Sequence, residues 1–346
     1  MSLVSLRNGK RVGDYERPYY VAELNTSHFG DLSLAKEMID QAKSVGCDCV
    51  KFQSWSADTL YSNSYYAENP IAKRIVRKFS LDNEQLKDLS SYCRSVDIDF
   101  ASTPYSIEEA RFLADECDVP FIKVASMELN NLPYLQELGA WDIPIVLSTG
   151  MGTLDEILQA VDIIKQAGNE RLVVLHCTSI YPADPKLIRL KNIIGLREAL
   201  GNVPVGYSDH SQGIEIPAAS IAYGTCLIEK HFTLDKSRIG MDNQMATEPD
   251  EMKRMIHACN RVYESLGGVD RELGQEERDQ AMKMRRSMVA RNDLESGLVL
   301  AEDMVEFKRP GTGIAPSNAP SFFGKKVIRS LRAGELLSNS DFEYTK

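Results

Sequence analysis

Apolar residues recur along this chain in short runs separated by amphipathic stretches, and the spacing is regular. Strand-like runs begin near Tyr19, Cys49, Ile98, Phe121, Ile145, Leu172, Val203 and Leu227. Between them apolar positions return every three to four residues, the period of a helix with one buried face. These stretches are Ser33 to Val45, Asn83 to Val96, Ile107 to Cys117, Leu132 to Leu138, Thr153 to Ala167, Ile188 to Leu200 and Ile214 to Tyr223, with Glu251 to Leu266 after the eighth run. Eight strand–helix units in about 250 residues predict an α/β protein built as a closed (β/α)8 TIM barrel, rather than an open doubly wound sheet. No glycine-rich dinucleotide fingerprint follows the first strand. Ahead of it, Asn8-Gly9 between Val4-Ser5-Leu6 and Arg11-Val12 predicts an N-terminal β-hairpin, placed as a plug in the barrel floor.

Beyond Gly267 the pattern changes to a charged, helix-prone stretch and then to short β-like runs broken by turns at Ser296-Gly297, Pro310-Gly311-Thr312-Gly313, Phe323-Gly324 and Ala333-Gly334. This predicts a barrel domain over 1–270, a connector over 271–284 and a small, mostly-β domain over 285–346. A length of 346 residues suits one large domain and one small one. No run approaches the roughly 20 apolar residues of a membrane span, and Met1 to Lys10 lacks the apolar core of a signal peptide. The formal net charge is −10 and basic clusters such as Lys283 to Arg286 are short, which argues against a nucleic-acid partner. The seven cysteines are scattered and odd in number, as expected of reduced thiols in a cytoplasmic protein.

The ends of the strands carry polar residues that a purely structural barrel would not need. They read Glu23 with Ser27-His28-Phe29-Gly30, Lys51-Phe52-Gln53-Ser54, Ser102-Thr103-Pro104, Lys123 to Glu128, Ser148 to Met151 and His176 to Pro182. Ser208-Asp209-His210 and Glu229-Lys230-His231 close the series. In a parallel barrel this edge is where chemistry is assembled. Lys51 and Lys123, ringed by Thr103, Ser126, Ser148 and Ser208, suit a phosphate or carboxylate; a Schiff-base lysine is the competing reading. His210 and His231 fall at the ends of neighbouring strands, with Glu23 and Asp242 available as further donors, a set that suits Mn²⁺, Zn²⁺ or Fe²⁺. His176 and His257 read as satisfied core residues.

Taken together and in this order, these strings resemble the sialic acid synthase family, the bacterial nonulosonic acid synthases. The resemblance spans nearly the whole chain; the C-terminal domain resembles the family's antifreeze-like SAF module, with Lys308 to Gly313 and Phe323-Gly324-Lys325 at matching places. It implies condensation of phosphoenolpyruvate (PEP) with an open-chain N-acylated amino sugar and release of phosphate. It further implies catalytic roles for Glu23, Glu128 and Asp242, PEP binding by Lys51, Thr103, Lys123, Ser126, Ser148 and Ser208, and sugar binding by Gln53, Ser179 and Tyr181. A divalent metal is implied on His210 and His231, Mn²⁺ first, with Mg²⁺, Co²⁺ or Zn²⁺ as alternatives. Arg309 would reach the sugar in trans within a domain-swapped homodimer. Ser27, Ser179 and Arg285 depart from members specific for N-acetylmannosamine, so that sugar and a 6-deoxy-diacetamido hexose both stay open as acceptors. A PEP-dependent deoxy-octulosonate-type sugar-phosphate synthase would lack the SAF module and need more basic residues. A non-catalytic carbohydrate-binding SAF protein would be expected to have lost Lys123, the histidines or Glu23.

Overall fold

Alternation along eight parallel strands builds the first part of the chain, in a computed structural model that describes residues 2–343. The hairpin comes first: β1 (Leu3–Ser5) pairs antiparallel with β2 (Arg11–Gly13). The barrel strands follow as β3 (Tyr19–Glu23), β4 (Cys49–Ser54), β5 (Asp99–Pro104), β6 (Ile122–Val124), β7 (Ile145–Ser148), β8 (Leu172–Cys177), β9 (Val205–Asp209) and β10 (Leu227–His231). They form one sheet in the order β5-β4-β3-β10-β9-β8-β7-β6, and the end strands β5 and β6 lie against one another to close it. Such strands are buried on both faces, which is why they read as apolar runs.

The two faces have different partners. Tyr20, Ala22, Val50, Phe52, Leu147, Val174, Tyr207 and Ile228 face the surrounding helices in one large core. Their neighbours Tyr19, Val21, Cys49, Ala101, Val146, Val173 and Leu227 point inward and pack with Val4, Leu6 and Val12 of the hairpin. The hairpin therefore fills the barrel floor. Asp14 anchors it, accepting from Val205 N at 3.0 Å and pairing with Arg197. The helices start at side-chain caps: Asp31, Ser106, and the reciprocal boxes Asp82/Gln85 and Thr153/Glu156.

Three details depart from the pattern. The helix expected over Ile188 to Leu200 is two pieces, Pro185–Ile188 and Asn192–Leu200, with Arg189 left-handed between them (φ 52). The Ile188 carbonyl is taken by His176 Nε2 at 2.6 Å, so it does not accept from Asn192, whose N–H turns to Arg189 O. Two helices, Asn63–Glu68 and Pro70–Phe79, occupy the segment after β4. His257 is exposed on the helix Pro249–Ser265, not a core residue; the buried stripe of that helix is Met252, Met255, Ile256 and Cys259. No described helix is long and apolar enough to cross a membrane.

The chain divides after Gly267. The second unit opens with the helix Gln275–Met284 and contains an antiparallel pair, β11 (Ser287–Ala290) with β12 (Val305–Lys308). Isolated bridges such as Leu294–Leu331 and Val327–Phe342 extend the β character. Its own core gathers Met288, Leu300, Val305, Val327, Leu337 and Phe342.

On the outer face of the barrel wall Lys230 is 2% exposed and pairs with Asp209, which is fully buried. Lys230 also donates to Ser211 O at 2.7 Å, while Asp209 accepts from Tyr207 Oη and Ser211. Removing one partner strands the other charge. Lys230→Met is expected to lower the unfolding free energy by about 3–5 kcal/mol, read from urea denaturation; a loss below about 1 kcal/mol would mean the pair is not the tie described.

Candidate active site

The strand register sets the site. Parallel pairing places Glu23 beside both Lys51 and His231, Gln53 beside Thr103, and Ser208 beside both Glu229 and Cys177. Alternation then sends Glu23, Lys51, Gln53, Thr103, Lys123, Ser148, Cys177, Ser208, Glu229 and His231 inward above the apolar floor. These side chains line one cavity of about 240 Å³ at the carboxyl ends of the strands. Ser126, Ser179, Tyr181, His210 and Asp242 join them from the loops, with Trp55, Leu60, Tyr61, Met127, Met151 and Met241 on the apolar part of the wall.

At its base lies a cluster of four buried charges. Lys51 contacts Glu23 directly and lies 3.8 Å from Glu229, while Lys123 lies 3.9 Å from Glu229 on its other side. All four side chains are at most 8% exposed. Lys51 donates to Thr103 Oγ1 at 2.9 Å and Lys123 to Ser148 Oγ at 2.7 Å. Each hydroxyl accepts from an ammonium, so its own hydrogen is free to be donated onward to an anion. Glu229 Oε1 accepts from Ser208 Oγ at 3.2 Å, and its Oε2 has no hydrogen-bond partner among the described residues.

The four groups do not titrate alike. Burial pushes Glu23 up, Lys51 offsets this, Glu229 adds to it, and the net shift is upward. Burial would raise Glu229 as well, but Lys123, Lys51 and His210 override it and hold that carboxyl below its usual range. Burial also acts against the charge of Lys123 and lowers its pKa, with Glu229 opposing. Lys51, facing two carboxylates, ends above its ordinary value despite burial. Two carboxyl groups pushed in opposite directions are a pattern of acid–base chemistry.

The imidazoles stand beside this cluster, with ring centroids 5.4 Å apart. His210 Nδ1 meets Thr178 O at 2.8 Å, which assigns the proton to that nitrogen and leaves Nε2 as the free lone pair. Burial opposes protonation of both rings. At His210 the contacts of Nδ1 with Cys177 Sγ and Thr178 O reverse the effect, whereas His231 stays well below its normal value. Tyr181 covers both rings, 4.2 Å from His210 and 5.8 Å from His231.

Loops supply the remainder. Gly150 N donates to Ser126 Oγ at 3.0 Å, and a Cβ on Gly150 would collide with Ser179 Oγ, so a side chain there would push Ser179 from its place. Asp242 rides on the segment after β10, which Asn243 folds on itself by donating to Asp235 O and Arg238 O and accepting from Thr233. Burial moves Asp242 upward. The amide of Gln53 is engaged at both ends, donating to Glu23 and accepting from Tyr105 Oη. Glu128 lies in the turn Ser126–Glu128 and accepts from Asn131; it is not part of the cavity lining. Arg309 belongs to the second unit and is exposed there, just after β12. Sequence reasoning named Glu229 within its strand-end run but gave it no role, although it stands two residues before His231 and must share its face in a strand. It likewise gave no role to Cys177, and passed over Asn25, Trp55 and Tyr105.

Buried charge of this density at the carboxyl ends of barrel strands is the mark of a barrel enzyme's active site. Residues 38–271 match the NeuB family and residues 285–343 match the SAF domain. The chain is 36% identical to an N,N'-diacetyllegionaminic acid synthase of Legionella pneumophila, covering 92% of this chain and 93% of that one. It is 32% identical to the human N-acetylneuraminate-9-phosphate synthase, covering 92% and 91%. Among solved structures it is similar to an N-acetylneuraminic acid synthetase from Leptospira borgpetersenii in complex with citrate, with TM-score 0.73 and 30% identity over 81% of this chain and 95% of that one. The chain belongs to the NeuB family. It is an enzyme, a transferase that forms carbon–carbon bonds.

The charge cluster makes a checkable statement about pH. Glu229 supports the charge on Lys123, whose pKa burial already depresses, so Glu229→Gln lowers it further. Binding of inorganic phosphate, followed by calorimetry, is expected to fade at a lower pH in this variant than in the wild type. An unchanged or raised alkaline limb would show that Glu229 does not support Lys123.

Proposed function

We propose that this protein is a nonulosonic acid synthase. It condenses PEP with an open-chain, uncharged N-acylated amino hexose, forming a carbon–carbon bond and releasing phosphate by C–O cleavage. One observation carries the reading: Lys51 and Lys123 flank a single buried carboxylate, Glu229, in the cavity that also holds His210 and His231. Lys51, Lys123, Ser126 and Ser208 then receive the phosphate of PEP, and Thr103 and Ser148, already oriented by the lysines, donate to its carboxylate. C3 of PEP attacks the aldehyde carbon of the sugar, water adds at C2, and the tetrahedral carbon expels phosphate. Glu23, the carboxyl pushed upward, is the group suited to carry a proton at this centre, with Glu229 remaining ionised. Holding both reactants in one cavity lowers the barrier through proximity, by about 7–11 kcal/mol for ideal alignment.

The residues present fit a divalent cation in part. Two imidazoles face one cavity, His210 through Nε2, and Asp242 stands on the same wall. No group of three or more His, Cys, Asp or Glu side chains close enough to hold a metal occurs among the described residues, so the remaining positions would fall to substrate oxygen and water. When bound by His210 and His231, such an ion, Mn²⁺ in this proposal, supplies Lewis-acid polarisation of the acceptor aldehyde.

Trp55, Leu60, Tyr61, Met127, Met151 and Met241 line the apolar part of the cavity, and its described lining holds no lysine or arginine beyond Lys51 and Lys123. That supports N-acetylmannosamine or a 6-deoxy-diacetamido hexose over a sugar phosphate, with Gln53, Ser179, Tyr181 and Asp242 toward the sugar. Arg309, acting in trans in a domain-swapped homodimer, and Glu128 as a further carboxylate remain part of the proposal. A cytoplasmic setting is supported by cysteines that are all free and buried.

Phosphate release from PEP should require an amino sugar and be faster with an uncharged acceptor than with its 6-phosphate. His231→Ala should lose both bound metal and turnover. Retention of both, or release of phosphate only with a phosphorylated sugar, would sink the reading.

A further inference from the structure

Asn25 lies two residues beyond Glu23, at the start of the loop that follows β3, and it is 5% exposed. Its backbone is left-handed (φ 41), a conformation that costs an ordinary residue and that asparagine tolerates better than most. Its backbone and side-chain nitrogens are both engaged. The backbone N–H donates to Glu23 Oε1 at 3.1 Å, and Nδ2 donates to Asp242 Oδ2 at 2.5 Å. The second contact fixes the amide: turned over, it would set its oxygen against a carboxylate oxygen. Oδ1 is thereby committed to a buried position where no described residue donates to it. A buried carbonyl without a donor is unfavourable, and this one belongs to a residue that lines the cavity.

We propose that Asn25 is an acceptor-binding residue whose Oδ1 takes a hydrogen bond from a hydroxyl or acylamino N–H of the sugar, beside Asp242. The assignment rests on the functional reading above and adds a specificity contact to it. One side chain then has two duties. Through Nδ2 it positions Asp242, and through Oδ1 it selects a sugar that presents a donor at that point.

Asn25→Gly is the informative variant, because glycine adopts the left-handed backbone without strain and removes only the amide. KM for the amino sugar should rise about ten- to a hundred-fold, the effect of one buried hydrogen bond, with KM for PEP unchanged. A second measurement needs no variant. Among acceptor analogues lacking one hydroxyl at a time, or carrying an O-acyl ester in place of the acylamino group, one should bind the wild type with the same weakening. That analogue should show no further loss with Asn25→Gly, and its identity tells a hydroxyl donor from an N–H donor. An unchanged sugar KM in Asn25→Gly, or a fall in kcat alone, would overturn the assignment while leaving the functional reading standing. A wild type that releases no phosphate with any amino sugar would overturn both.

Discussion

Four charges buried together at the mouth of the barrel are the constraint on which the rest depends. Taking Glu23, Lys51, Glu229 and Lys123 out of water is costly unless each faces an opposite charge or a hydrogen bond. The parallel register provides this, because it sets Glu23 next to Lys51 and Ser208 next to Glu229 without help from any loop. The hairpin below keeps the cluster dry from beneath, with Val4, Leu6 and Val12 sealing the floor. In such surroundings, interactions with an arriving anion are stronger than they would be in water. The unpartnered oxygen of Glu229 shows that the cluster alone does not satisfy all its members.

A second ion pair in the same two strands shows how a one-residue shift separates stability from chemistry. Asp209 and Lys230 are neighbours of Ser208 and Glu229, yet they face outward and tie β9 to β10 within the wall. Ser208, Glu229 and His231 face inward. Each tripeptide run at these strand ends therefore contains both a structural and a functional part, divided by the pleat. The loops follow the same economy, with Asn243 shaping the segment that brings Asp242 to the cavity and Gly150 allowing Ser126 and Ser179 to approach.

Most of the barrel was legible because burial on both faces makes its strands apolar runs and burial on one face makes its helices periodic. The hairpin was legible from Asn8-Gly9, and the cavity from polar residues gathered where strands end. What escaped depends on tertiary partners. The break at Arg189 follows from His176 taking the Ile188 carbonyl, a contact between residues twelve positions apart. The helices after β4 occupy a stretch whose buried face is small, with Tyr66 and Val76 as its buried residues. Glu229 could have been found by counting two back from His231. Asn25 could not, since its significance lies in an oxygen without a donor and a nitrogen on Asp242, 217 positions away in the chain. His257 was misplaced because one polar residue in an amphipathic helix does not declare its face.

In the proposed reaction this cluster holds PEP so that its C–O bond breaks as the carbon skeleton grows. PEP carrying ¹⁸O in the bridging position, incubated with the amino sugar, tests it most directly. The label is expected to leave in the inorganic phosphate, observed by mass spectrometry. Label retained in the sugar product, with unlabelled phosphate released, would contradict it.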